Sequence, residues 1–248
     1  MNAGERRLIV NADDFGFTDD VNRGIIDAHC NGILTSTTLM ANGPAFDDAV
    51  RLARETATLD VGCHLVLVGG RSLLDSSPLP PTVLRLVAAV TTRRLRVYEE
   101  LAAQIRRIVD AGLRPTHLDT HKHTHAFPPV LDAVARLSQE YAIRWVRRPP
   151  LDPFGKLAQH GCRMTDRFAG FRLTGKLNIP SLVRAIHALP PGTTEFMCHP
   201  GYCTEDLRHA PTRLKDSRQK ELEALVSPEA WQALAVARVT LTSYRDLK

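Results

Sequence analysis

The feature that most limits what this chain can fold into is a regular alternation of two patterns. Short apolar, β-branched runs at 8–12, 36–41, 61–68, 116–120, 143–146, 195–198 and 239–241 are separated by helical patterns at 19–31, 46–55, 98–111, 128–141, 181–189, 217–225 and 228–237. The helix at 98–111 is typical: Leu101, Ile105, Ile108 and Val109 share one side and Gly112 stops it. Strands separated by helices of this length pair in parallel through right-handed crossovers. About seven such units in 248 residues predict an α/β fold in which one domain, residues 1–248, closes as a TIM-like (β/α) barrel rather than opening as a doubly wound sheet. Two stretches, 69–81 and 149–178, are rich in Gly, Pro and polar residues and read as loops over a site.

With 44% hydrophobic residues the chain can bury a full core. Its net charge of +5 comes from scattered basic residues, and the clusters at 93–96 and 144–148 lack interleaved aromatics, so no nucleic-acid partner is expected. Five cysteines without a C-x-x-C pair argue against a disulfide framework and for a reducing compartment. No stretch approaches 18 apolar residues and the N-terminus has no signal-like run, which predicts a cytoplasmic protein without stable membrane insertion.

The densest chemical signal is His117, Asp119, His121, His123 and His125, spaced two apart. On an extended segment all five would face one side, and burying five ionisable groups without partners is costly. Same-face neighbours lie ~6–7 Å apart, so only one or two of them can reach a single ion. The others are expected to support the ligands, carry protons or meet substrate.

A second signal is Asp13-Asp14, two carboxylates ending an apolar strand in Asn11-Ala12-Asp13-Asp14-Phe15-Gly16. In a (β/α) barrel that end is the catalytic face. One carboxylate can bind an ion while its neighbour accepts a proton from water. His64 stands near the middle of a predicted strand, which weighs against ligation, yet one more imidazole would complete a two-His, one-carboxylate set with Asp14 and His121. His199 falls where a late strand meets its loop.

Together with Val21-Asn22-x-Gly24-Ile25, Thr35-Ser36-Thr37-Thr38, Gly62-x-His64-Leu65, the segment from Thr116 to His125, the Arg147-Arg148-Pro turn, the stretch from Glu195 to Gly201 and Ser243-Tyr244, these residues resemble the YdjC-like carbohydrate deacetylases. That family includes chitooligosaccharide deacetylases and a hopanoid-biosynthesis deacetylase, and it is similar to polysaccharide deacetylases in having a distorted barrel. The resemblance implies one divalent ion, zinc or magnesium, on Asp14, His64 and His121. It implies Asp13 as general base and His199 as general acid. His123, His125 and one of Arg147 and Arg148 would line the substrate pocket, and the two arginines match equally well.

The reaction implied is hydrolysis of the N-acetyl group of an amino sugar or glycolipid, with a homodimer left open as the assembly. Two alternatives are a different metal-dependent hydrolase, such as a phosphoesterase, and a non-catalytic sugar- or metal-binding protein. Asp13 beside Asp14 argues against the latter, because binding alone needs no base. A non-haem iron oxygenase would use the same ligand types, but the helix-rich alternation disfavours the double-stranded β folds on which such sites usually sit.

Overall fold

The computed structural model describes residues 4–149 and 155–247. Strand β1 (Arg6–Phe15) leads into helix α1 (Asp19–Cys30), then β2 (Ser36–Leu39), α2 (Phe46–Glu55) and β3 (Asp60–Leu65). Two helices, α3 (Val83–Thr91) and α4 (Val97–Asp110), precede β4 (His117–Thr120), followed by α5 (Pro128–Glu140) and β5 (Trp145–Val146). The chain continues through α6 (Lys156–Gln159), β6 (Arg167–Ala169), α7 (Ile179–His187) and β7 (Gly192–Cys198). It finishes with α8 (Glu205–His209), α9 (Asp216–Leu225), α10 (Pro228–Ala237) and β8 (Val239–Leu241).

Seven strands lie in the order β5-β4-β3-β2-β1-β7-β6, every pair parallel, and β8 joins alongside β1. The two ends of this row meet through one stretch of chain. Arg163 bridges to Trp145 of β5, and four residues later β6 pairs with β7. The sheet therefore curls into the distorted TIM-like barrel that the alternation of patterns predicts. β1 is covered on both faces, which is why Leu8, Ile9 and Val10 are all apolar and closed to solvent.

Helix α1 shows how sequence seats the outer layer. Thr18 caps it by accepting the Val21 N–H, Asp19 and Asp20 sit in its positive first turn, and Val21, Ile25 and Ala28 form the buried stripe. Full burial of a Val or Ile side chain contributes about 1.5–3 kcal/mol. Gly24 belongs to the same face because a Cβ there would lie 2.5 Å from Gly201 Cα. The helix thus rests directly on the loop that follows β7.

One reading of the sequence needs correction, and one helix lies where the sequence predicts no element. The 149–178 stretch is not all loop: it holds α6 and β6, the latter completing the curl of the sheet, while residues 150–154 of that stretch lie outside the described residues. Residues 83–91 form α3, apolar at every position but Arg85 and Thr91. Among the described residues no helix is long and apolar enough to cross a membrane.

Candidate metal centre

The C-terminal ends of β1, β3, β4 and β7 bring the candidate residues together. Neighbours on a strand face opposite ways, so Asp13 and Asp14 would ordinarily diverge. Asp14 escapes by adopting a left-handed backbone (φ 73°), and the register of β1 against β2 slips between Ala12 and Phe15. Aspartate tolerates that region better than most residues. Gly16 donates its N–H to Asn22 Oδ1 at 2.7 Å, which holds the turn from α1. Both carboxylates consequently enter the same cavity.

Asp14 Oδ1, His64 Nε2 and His121 Nδ1 form a triangle with edges of 3.2–3.3 Å. Asp14 Oδ1 is buried and lacks a hydrogen-bond partner of proper geometry although two ring nitrogens are this close. An acceptor left bare between two imidazoles is what a shared cation would explain. Ligand atoms on adjacent corners of a tetrahedral site with ~2.0–2.1 Å bonds lie about 3.3–3.4 Å apart, so the three donors fit one ion without rearrangement.

The surroundings prepare each donor. His64 Nδ1 contacts Asp119 Oδ1 at 2.7 Å, which fixes the ring and leaves Nε2 for the centre. Thr38 Oγ1 donates to Asp119 Oδ2 at 3.0 Å. Burial disfavours a charged His64, but Asp119 outweighs it and pushes the imidazole up to about 10. The second oxygen of Asp14 accepts from Arg218 at 2.5 Å, a guanidinium on α9 that is itself closed to solvent. Burial would raise the Asp14 carboxyl; Arg218 and the two imidazoles hold it well below the usual range.

Asp13 sits beside the triangle in another grip. Arg147 donates to Oδ2 through Nη1 at 2.8 Å and to Oδ1 through Nη2 at 2.6 Å, and Asn11 adds a bond to Oδ1 at 3.2 Å. Arg147 also contacts Asp119 Oδ2 at 2.8 Å and Glu195 Oε1 at 2.7 Å. Burial raises the Asp13 carboxyl, yet Arg147 overrides it and keeps the group below its ordinary value. A second donor group, Asp13, His64 and Asp119, is close enough to be a cation site, but the Arg147 guanidinium already supplies its positive charge.

His199 places Nε2 3.9 Å from Asp13 Oδ2. Its backbone N–H donates to Glu221 Oε2 at 2.5 Å, and its Nδ1 is buried without a hydrogen-bond partner, 4.0 Å from the same Glu221 oxygen. Burial, opposed by Asp13 and Asp14, pushes His199 down to about 4. Burial also pushes Glu221 up to about 7.

The five-residue alternation does not survive as one face. β4 ends at Thr120, and residues His121–Ala126 coil as a 3-10 turn in which Lys122 and His123 are left-handed (φ 54° and 51°). His117 and Asp119 point inward from the strand, whereas His121, His123 and His125 are aimed by the coil. His117 is stacked on Tyr244 (ring centroids 3.9 Å) and takes the space left by Gly62, where a Cβ would lie 2.5 Å from its carbonyl oxygen. His123 meets Phe168 and Phe171 edge-on, at 5.6 and 4.9 Å, and has an unpartnered Nδ1. His125 bonds Thr120 through Nδ1 at 2.5 Å, while its buried Nε2 is unpartnered.

Three further points separate structure from sequence reading. His64 is not mid-strand: β3 ends at Leu65, one residue on, so the ring lies at the catalytic end. Arg147 faces the cavity, whereas Arg148 turns away to the Thr165 carbonyl at 2.9–3.1 Å. Arg218 and Glu221 carry no signal in the sequence, because a lone Arg or Glu in a helix reads as a solvated face. Glu195 opens a predicted strand in which a single carboxylate has no visible partner, and only the fold reveals the burial of all three.

A parallel (β/α) barrel with an Asp-His-His donor triangle at its catalytic end, backed by a carboxylate on one imidazole, defines a barrel protein able to hold a single ion. The chain belongs to the YdjC-like protein family, whose model matches residues 7–236. It is 37% identical to a carbohydrate deacetylase of Geobacillus stearothermophilus over 97% of this chain and 98% of that one. A carbohydrate deacetylase of Brevibacillus brevis is also 37% identical, over 97% and 99% of the two chains. Among solved structures, a proposed cellobiose-phosphate cleavage protein of Enterococcus faecalis superposes with a TM-score of 0.83 at 25% identity, over 98% and 99% of the two chains.

Proposed function

We propose that this protein is a metal-dependent carbohydrate deacetylase that hydrolyses the N-acetyl group of an amino sugar or glycoconjugate. The observation that carries the reading is the bare, buried Asp14 Oδ1 between His64 Nε2 and His121 Nδ1, with Asp13 beside it. Relatives named carbohydrate deacetylases that match nearly end to end support the substrate class. Two nitrogens, one oxygen and their wide spacing favour zinc over magnesium, which prefers oxygen ligands at about 2.0–2.1 Å in octahedral array.

A bound ion supplies Lewis-acid polarisation of the acetyl carbonyl and brings the pKa of a water toward ~7. The chain's own groups supply the proton traffic. Asp13 is held as a carboxylate by Arg147, and its Oδ2 has the side toward His199 free to accept a proton from the attacking water. His199 rests neutral, so the proton reaching Oδ2 can pass across 3.9 Å to Nε2 and then to the departing amine nitrogen. The C–N bond breaks as that nitrogen is protonated, leaving acetate and the free amine. Unpartnered His123 Nδ1 and His125 Nε2 offer positions for sugar hydroxyls. Arg147, already shared among three carboxylates, positions Asp13 rather than meeting substrate.

A two-metal phosphoesterase is disfavoured because a guanidinium fills the place of a second ion. The deciding experiment is a free-amine assay on a panel of N-acetylated sugars, with and without chelator, for the native protein and Asp13→Asn. Amine release that chelation abolishes, lost in Asp13→Asn with the ion still bound, is the expected result. Undiminished turnover in Asp13→Asn would remove Asp13 as the base.

A further inference from the structure

We infer that the outer face of α3 is a docking surface for an anionic phospholipid bilayer. The helix, Val83-Leu84-Arg85-Leu86-Val87-Ala88-Ala89-Val90-Thr91, is apolar almost throughout, yet Leu86 is its only fully buried residue. Leu84 is 80% exposed and Val83 43%, and Leu74 on the preceding loop is 39% exposed. A helix that merely covers a barrel turns its apolar stripe inward and its polar residues out. Here leucine and valine project into solvent at the point where polar residues belong.

The charge around them is predominantly positive. Residues 76–98 contain four arginines (Arg85, Arg93, Arg94 and Arg96) and no aspartate or glutamate. All four are exposed, and among the described residues no carboxylate comes within 4.0 Å of their guanidinium groups. Asp75 at the edge of the patch is near enough to feel Arg96, and Glu99 lies just beyond it. Glu100 is turned inward onto Ser72 and Leu73. Arg93 closes the helix in a left-handed conformation, with Arg94 N–H bonded to Ala89 O at 2.8 Å, so both side chains cluster at the helix end.

Apolar side chains flanked by unpaired arginines suit one partner chemistry: a surface with phosphate headgroups outside and hydrocarbon beneath. A second copy of the chain suits it poorly, since a two-fold contact through α3 would set arginine against arginine.

The test is co-sedimentation of the full chain with vesicles of phosphatidylcholine alone and with phosphatidylglycerol added. The native protein is expected on the anionic vesicles only, released by raised salt, and Leu84→Asp and the pair Arg93→Glu/Arg94→Glu should each lower the bound fraction about tenfold or more. Melting curves of both variants should match the native one, because none of these side chains is buried. Equal partition onto both vesicles, or undiminished binding of both variants, overturns the inference. So does a native dimer that binds no vesicle and that Leu84→Asp converts to a monomer, which would assign the face to a second copy.

Discussion

Arg147 grips both oxygens of Asp13, at 2.8 and 2.6 Å, from a position wholly closed to solvent. The same guanidinium reaches Asp119 and Glu195, so three carboxylates from three strands converge on one cation. Removing that cation strands buried charge; keeping the charge without the fork frees Asp13 to wander.

Arg147→Met is therefore expected to lose stability by about 3–5 kcal/mol, the usual cost of breaking a buried pair from one side. Arg147→Lys should fold but lose bidentate hold, with kcat down about 100-fold. Asp13 is held below its unfolded value of ~3.9, so its ion pair stabilises the fold above that pH and is lost as pH falls. In the Lys variant the weaker grip raises the Asp13 carboxyl, and the acid limb of kcat/KM against pH should move upward. A Lys variant with native kcat and an unmoved limb would dismiss the positioning role.

The metal-free protein should bind its ion more tightly as pH rises. His64 is pushed up to about 10, so near pH 7 its ring carries a proton that binding must displace. Affinity measured by chelator competition should climb by roughly tenfold per pH unit between about pH 7 and 9. Asp119→Asn, which removes the main upward influence on His64, should flatten that dependence. The sign for stability is opposite: a raised pKa stabilises the metal-free fold fully below ~6.5, and the contribution fades as pH climbs through about 10. An affinity independent of pH in the native protein would mean that His64 enters the complex already neutral.

Much of this centre was legible before any fold was known, for a physical reason. Strand ends at the catalytic face carry polar residues inside otherwise apolar runs, so Asp13 and Asp14 stand out against Val10 and Ala12, whereas His64 reads as mid-strand until β3 is seen to end at Leu65. What stayed hidden needed either a backbone angle or a long reach. Nothing in His121-Lys122-His123 announces left-handed residues, so the alternation of two predicts an extended face that the coil abolishes. Arg218 lies 204 residues from the Asp14 it pairs with, and a helix reading alone places it in solvent. Helix α3 has only Arg85 and Thr91 as polar residues in a nine-residue run, too short and too apolar to tell a helix from a buried strand by pattern.

Arg218 gives the third prediction. It occupies Asp14 Oδ2, leaving Oδ1 alone to face the imidazoles. In Arg218→Gln Asp14 loses both its partner and its fixed rotamer, and metal affinity should fall about 10- to 100-fold, the range seen when such supporting contacts are cut. Chelator competition reads this directly, and a melting curve of the loaded protein shows whether the fold persists. Native affinity in a folded Arg218→Gln would show that α9 has no part in holding Asp14.

Gly24 tests whether α1 truly seats the loop bearing His199. Alanine in a helix is ordinarily worth about 0.5–1 kcal/mol over glycine. Here the new methyl would stand 2.5 Å from Gly201 Cα and 2.9 Å from its carbonyl carbon, and backbone cannot rotate aside as a side chain can. Overpacking of this kind costs about 1–3 kcal/mol, so the helix gain is outweighed and Gly24→Ala should melt lower than native. The relief available is movement of residues 199–201, which would pull His199 from its bond to Glu221 and from Asp13. Turnover should then fall about tenfold or more while Asp14, His64 and His121 still bind their ion with native stoichiometry. A higher melting temperature, or full activity, would show that the two elements separate without consequence for the centre.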